Sequence, residues 1–154
     1  MKKILSLIII ILFLNINISS AAKWEYLFDT EGGSYYVETS SIFCDTNNNN
    51  EIVFHAFLKN IYTEKGRKRL IDQWYSKYGW IPEDADKIYY SVFLEYFKIS
   101  NGVKYFAVDA ETVIKTDGTP VYELSYRRNF HRWKVIMPGA ISDDLFNAIY
   151  ERLK

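Results

Sequence analysis

Along this chain the spacing of apolar residues changes repeatedly, and each change marks an element. Behind Lys2 and Lys3 an apolar run, interrupted by Ser6 alone, covers residues 4–14 and gives way to Ser20-Ala21-Ala22. A bilayer span takes about 20 apolar residues, so the run is short for one. A charged start, a short apolar core and a small-residue exit instead predict a secretory signal peptide over residues 1–22, cleaved ahead of Lys23. Period 2 then takes over. Residues 23–28 place Trp24, Tyr26 and Phe28 on one side, Thr30-Glu31-Gly32-Gly33 supplies turn chemistry, and residues 34–38 resume the alternation. That pattern predicts an N-terminal hairpin. The polar tract 45–50 reads as a loop tip, since asparagine tolerates left-handed backbone. Residues 51–59 form the next strand, with Ile52, Phe54, Ala56 and Leu58 on one face and His55 on the other.

Period 3.6 follows. Thr63 caps a helix whose apolar positions are Leu70, Ile71, Trp74, Tyr75 and Tyr78; Gly79 closes it, and Gly66 weakens its first turns. After a loop over 80–86, strands return at 87–98, 103–115 and 121–126, joined through Asn101-Gly102 and Asp117-Gly118. A short strand over 132–136 carries Trp133 and stops at Pro138-Gly139. Ser142 is the expected cap of a final helix, with Asp143 and Asp144 where the helix dipole favours negative charge. Its stripe is Leu145, Phe146, Ile149, Tyr150 and Leu153. Such a stripe needs an apolar partner, and the concave face of an antiparallel sheet provides one.

Composition narrows the picture. Removing Lys2 and Lys3 with the leader leaves 17 basic against 19 acidic residues, a net charge of −2, in a domain spanning residues 23–154. So balanced a charge argues against a nucleic-acid partner. The 13 Tyr, 10 Phe and 4 Trp suit half-buried pleated surfaces. Cys44 is the only cysteine, so no intramolecular disulfide forms. An exported lone thiol can join two chains as a homodimer; the alternative, favoured by Ile42 and Phe43 beside it, is a buried small apolar residue.

The order of features resembles the bacterial surface-adhesin protein E-like family. The resemblance rests on Trp24, Gly33-Ser34-Tyr35-Tyr36-Val37-Glu38, Ser41-Ile42, Tyr90-Ser91-Val92 and Phe106-Ala107-Val108-Asp109-Ala110. It continues through Asp117-Gly118, Trp133 to Ile136 and Pro138-Gly139-Ala140 into the closing helix. It implies a six-stranded antiparallel sheet with the C-terminal helix on its concave face, and adhesin-like binding of proteins outside the cell. The expected fold is therefore α+β: a twisted antiparallel sheet of about six strands, a C-terminal helix packed on its concave face and an additional helix near residues 63–79. Members of that family commonly carry a cysteine near the place of Ala110, bonded to one in the last helix. Here Ala110 stands in the strand, and Phe106, Val108 and Ala110 are expected to share the helix-facing side. Tyr150, or else Leu153, is the expected replacement on the helix, its packing offsetting much of the roughly 4 kcal/mol that such a bridge contributes.

Candidate chemistry is sparse. No nucleophile elbow, zinc-protease, phosphate-loop or dinucleotide motif occurs. Glu83, Asp84 and Asp86 lack the turn glycine and distal glutamate of a calcium loop. Asp109 and Glu111 share a strand face and are expected to meet water. The usable surface feature is positive charge: Lys65, Arg67, Lys68 and Arg69 in one cluster, and Arg127, Arg128, Arg132 and Lys134 with His131 in another. These are the candidate binding residues, suited to acidic polysaccharide or anionic protein segments. The alternative is a solvated helix face and a charged edge strand. Tyr35, Tyr36 and Tyr122 add contact area.

The expectation is a non-enzymatic, adhesin-like binding protein, exported to the periplasm, the cell surface or the medium. It needs no cofactor or metal, keeps no membrane span after cleavage, and recognises a protein or glycan. A small envelope hydrolase using Cys44 or the acidic loop, and a structural envelope component acting through protein contacts, are the alternatives.

Overall fold

A computed structural model describes residues 22–47, 51–125 and 132–154. Residues 1–21 of the expected leader, the asparagines at 48–50, and Arg127, Arg128 and His131 lie outside the described residues. The fold is α+β. Strands β1 (Trp24–Thr30), β2 (Gly33–Glu38), β3 (Phe43–Asn47) and β4 (Glu51–Tyr62) precede helix α1 (Glu64–Tyr78). Strands β5 (Ile88–Ser100), β6 (Val103–Lys115), β7 (Pro120–Ser125) and β8 (Lys134–Val135) lead to helix α2 (Ile141–Leu153). All pairings are antiparallel, in the order β1-β2-β4-β5-β6-β7. Two short strands fill gaps along the edges: β3 beside β4 and β8 beside β6. The expected sheet of about six strands is thus a six-strand path with these two additions.

Local signals place the turns. Asn101 and Gly102 both take positive φ, 50° and 76°, as a tight two-residue hairpin requires. Thr63 caps α1 by accepting from the Gly66 amide at 3.1 Å, and Gly79 ends it in the left-handed region at φ 73°. Gly66 has a different importance from the one its helix propensity suggested. A Cβ there would stand 1.8 Å from the Gly32 carbonyl oxygen, so only glycine lets α1 seat against the β1–β2 turn. Thr63 completes the seat by donating its amide to Gly32 and its hydroxyl to Glu31.

Several expectations change. Strand β1 bulges between Tyr26 and Phe28. Phe28 and Leu27 consequently reach the core, while Tyr26 is half exposed and Trp24 lies under the Lys59 ammonium on the other side. Residues 45–47, read as loop, belong to β3. Phe43 and Cys44 are exposed on that strand, which overturns a buried thiol. Helix α2 begins at Ile141 after Ala140, so Ser142 is not its cap; the Asp143 carboxylate accepts from the Gly139 amide instead. A second bulge, at Asp109, pairs Val108 with Glu95 but Ala110 with Leu94. Ala110 therefore leaves the helix-facing side, and Tyr150 packs on Phe54 and Phe146 rather than opposite it.

Helix α2 covers the end of the face built from Phe54, Ala56, Leu58 and Phe97, burying Leu145, Phe146 and Ile149 there. Four rings meet at 5.3–5.9 Å: Phe54, Phe97, Phe146 and Tyr150. Helix α1 covers the other end more thinly. Of its expected stripe, Trp74 is buried, Leu70 and Ile71 are partly so, and Tyr75 and Tyr78 are exposed.

Candidate functional site

Register sets up the site. Along the covered face, cross-strand rows run Phe54–Phe97–Phe106, then Ala56–Glu95–Val108, then Leu58–Phe93–Glu111, then Tyr35–Asn60–Ser91–Val113. Paired residues on neighbouring strands project to the same side. The face therefore changes from aromatic under α2 to polar under α1. The Asp109 bulge produces part of this change: it carries Glu111 onto the covered side, where it lines a cavity, and Asp109 itself, expected to meet water, is buried.

Above the polar rows lies a cavity of about 760 Å³, within the range of small-molecule sites. Tyr35, Asn60, Tyr62 and Glu111 come from its sheet side, Arg69, Gln73, Trp74 and Lys77 from α1, and Arg132, Lys134 and Ile141 from the chain leading into α2. Tyr62 and Ser91 hydroxyls lie 2.9 Å apart. The Tyr78 and Tyr122 hydroxyls lie 3.4 Å apart at the rim. Asn60 is 7% exposed, and its Oδ1 accepts no hydrogen bond.

Burial shapes the protonation of the floor. Glu95, 3% exposed, sits just behind the lining; desolvation, then the neighbouring Glu111 carboxylate, push its pKa up to about 8. Glu111 is raised by burial and drawn partly back by the Lys77 ammonium. Burial and the two glutamates push the Tyr35 phenol up to about 12. Tyr62 is raised as well, again chiefly by desolvation. At neutral pH Glu95 is therefore mostly a neutral acid.

The two basic clusters meet here in part. Arg69 from the first and Arg132 and Lys134 from the second line the same cavity. Arg69 and Lys65 also pair with Glu31 on the β1–β2 turn, and Arg67 donates to the Ile88 carbonyl at 3.3 Å. Lys68 is exposed on α1, away from the lining. Lys134 stands over the Phe106 ring at 5.9 Å. Of the tyrosines expected to add contact area, Tyr35 and Tyr122 line the cavity, whereas Tyr36 lies beneath Lys59 on the opposite face. Elsewhere, Asp84 is held by Lys87 and Lys115. Cys44 donates weakly to the Thr46 carbonyl at the edge strand. Among the described residues no His, Cys, Asp and Glu group could hold a metal ion, and no helix is long and apolar enough to cross a membrane.

The sequence reading missed Asn60, Ser91 and Glu95. Their signal was present: each interrupts a period-2 stripe of apolar residues, and a polar residue on a core face needs a partner or a ligand. No protein-family model, curated protein or solved structure matches the chain.

Proposed function

We propose that this chain is an exported, adhesin-like, non-enzymatic binding protein that receives part of a protein or glycan in the cleft between α1 and the β8 strand. The observation that carries the reading is the convergence of Arg69, Arg132 and Lys134, from distant parts of the sequence, on one cavity with a buried polar floor. The leader-like start and the family resemblance support export and adhesion.

The test fills the cleft. Gln73→Trp, at an exposed α1 position lining the cavity, is expected to abolish attachment of the purified protein to its natural surface while leaving the unfolding midpoint within error. Unchanged attachment would remove the cleft from the interaction.

One observation favours a hydrolase as second reading: Glu111 is a partly buried acid of raised pKa lining a cavity, the form that general acid catalysis uses. It differs from the hydrolase expected from sequence, because Cys44 and the acidic loop lie outside the cavity lining. Loss of hydrolytic activity on glycan substrates in Glu111→Gln, with binding intact, would support it.

A further inference from the structure

We propose that the cleft takes a carboxylated oligosaccharide, its carboxylates against the cationic rim and its sugar rings among the aromatic lining. This deepens the proposed function and rests on the cleft being the ligand site.

Three independent features point the same way. The first is charge. Arg69, Lys77, Arg132 and Lys134 line the cavity against only two carboxylates, Glu31 and Glu111. Formal charge at the lining is thus +2. Burial pushes both Glu95 and Glu111 toward the protonated form, which weakens any pull on a cationic guest. A net positive lining between low-dielectric walls favours an anionic guest.

The second feature is the polar floor. Asn60, Tyr62 and Glu111 line the cavity from the sheet side, and the Tyr62 and Ser91 hydroxyls lie 2.9 Å apart. Sugar hydroxyls both donate and accept, so they match a floor that mixes Asn60 with the Tyr62–Ser91 pair and the Glu111 carboxyl.

The third is the ring content. Tyr35, Trp74, Tyr78 and Tyr122 line one cavity, with Trp74 and Tyr122 centroids 5.4 Å apart. Sugar rings carry a C–H face that packs on aromatic surfaces while their hydroxyls point outward, which uses both characters of tyrosine. An acidic peptide would satisfy the rim but has no row of hydroxyls for the floor.

Calorimetric titration of the purified chain with tetragalacturonate, with its methyl ester and with tetraglutamate separates these contributions, while amide shifts report where each binds. Tetragalacturonate is expected to bind more weakly as salt rises and to shift the amides of Asn60 and Ser91. The methyl ester, which keeps the rings but loses the charge, is expected to bind at least about tenfold more weakly. Lys134→Glu is expected to weaken the acid form by about tenfold or more, and Lys154→Glu, the same charge change outside the lining, to leave it unchanged. Equal binding of the methyl ester at Asn60 and Ser91 would overturn the carboxylate requirement yet keep the cleft as a ligand site. Tighter binding of tetraglutamate would replace the sugar by an acidic peptide. No binding of tetragalacturonate, or equal loss in the two lysine variants, also overturns the proposal. Shifts confined to β3 or the opposite face would remove the cleft reading with it.

Discussion

Beneath α2 the sheet offers Phe54, Leu58 and Phe97, all fully buried, and the helix answers with Leu145, Phe146 and Ile149. Beneath α1 the same face offers Tyr35, Asn60, Ser91 and Glu111, and the helix buries only Trp74 and Gly66. One end is closed by rings in mutual contact; the other keeps a cavity and carboxyls pushed toward neutrality. The difference teaches how a small domain divides stability from recognition. Close packing at one end supplies the free energy that lets the other end keep buried polar groups without partners.

The largest effect should come from the packed end. Phe146→Ala removes a ring that touches Phe54, Phe97 and Tyr150. It is expected to lower stability by about 3–5 kcal/mol in urea unfolding, more than any substitution lining the cleft.

Next comes a pH dependence specific to the polar end. Because folding raises the Glu95 pKa to about 8 from an ordinary 4.5, the folded chain binds the extra proton between those values. Stability is then fully present below about pH 4.5 and falls as pH rises toward 8. The change between pH 5 and pH 8 is about 3–4 kcal/mol from this group, and Glu111 adds in the same direction. Glu95→Gln should flatten the profile measured by unfolding at each pH; a profile as steep as the parent's would mean that Glu95 ionises normally.

A smaller effect tests the seat of α1. Gly→Ala inside an exposed helix ordinarily stabilises by about 1 kcal/mol. At Gly66 the sign should reverse, to a loss of about 1–3 kcal/mol, since the new methyl collides with the Gly32 carbonyl. Thermal melts of Gly66→Ala decide the sign.

The smallest concerns the start of α2. Lys104 reaches Asp143 at 2.9 Å and Asn147 at 2.8 Å, partly exposed. Lys104→Ala is expected to cost at most about 1 kcal/mol, and less at high salt.

The elements with strong local chemistry were legible in the sequence. Thr63 and Gly79 delimit α1, and Asn101-Gly102 fixes the β5–β6 hairpin, because caps and turns are decided by neighbouring residues. What stayed hidden depends on distant pairing. The bulges at β1 and at Asp109 reverse which side chains face inward, so Phe28 and Glu111 moved in while Ala110 moved out. Simple alternation carries no mark of such a shift. The basic clusters were visible as charge, but their meeting at one cavity needs the sheet that brings β8 opposite α1. Glu95 sits inside a strand that reads as apolar, and Asn60 falls just past the expected end of its strand at residue 59, so neither stands out as functional.

The contact of Thr63 and Gly66 with the β1–β2 turn fastens α1 by main-chain atoms at its first turn only. Further along, Trp74 and Tyr78 meet Tyr122 through side chains. The helix is clamped by its backbone at one end and held along the rest by side chains, Leu70, Ile71 and Trp74 among them. A guest lodged beside Trp74 therefore works against side-chain packing alone and leaves the main-chain clamp untouched.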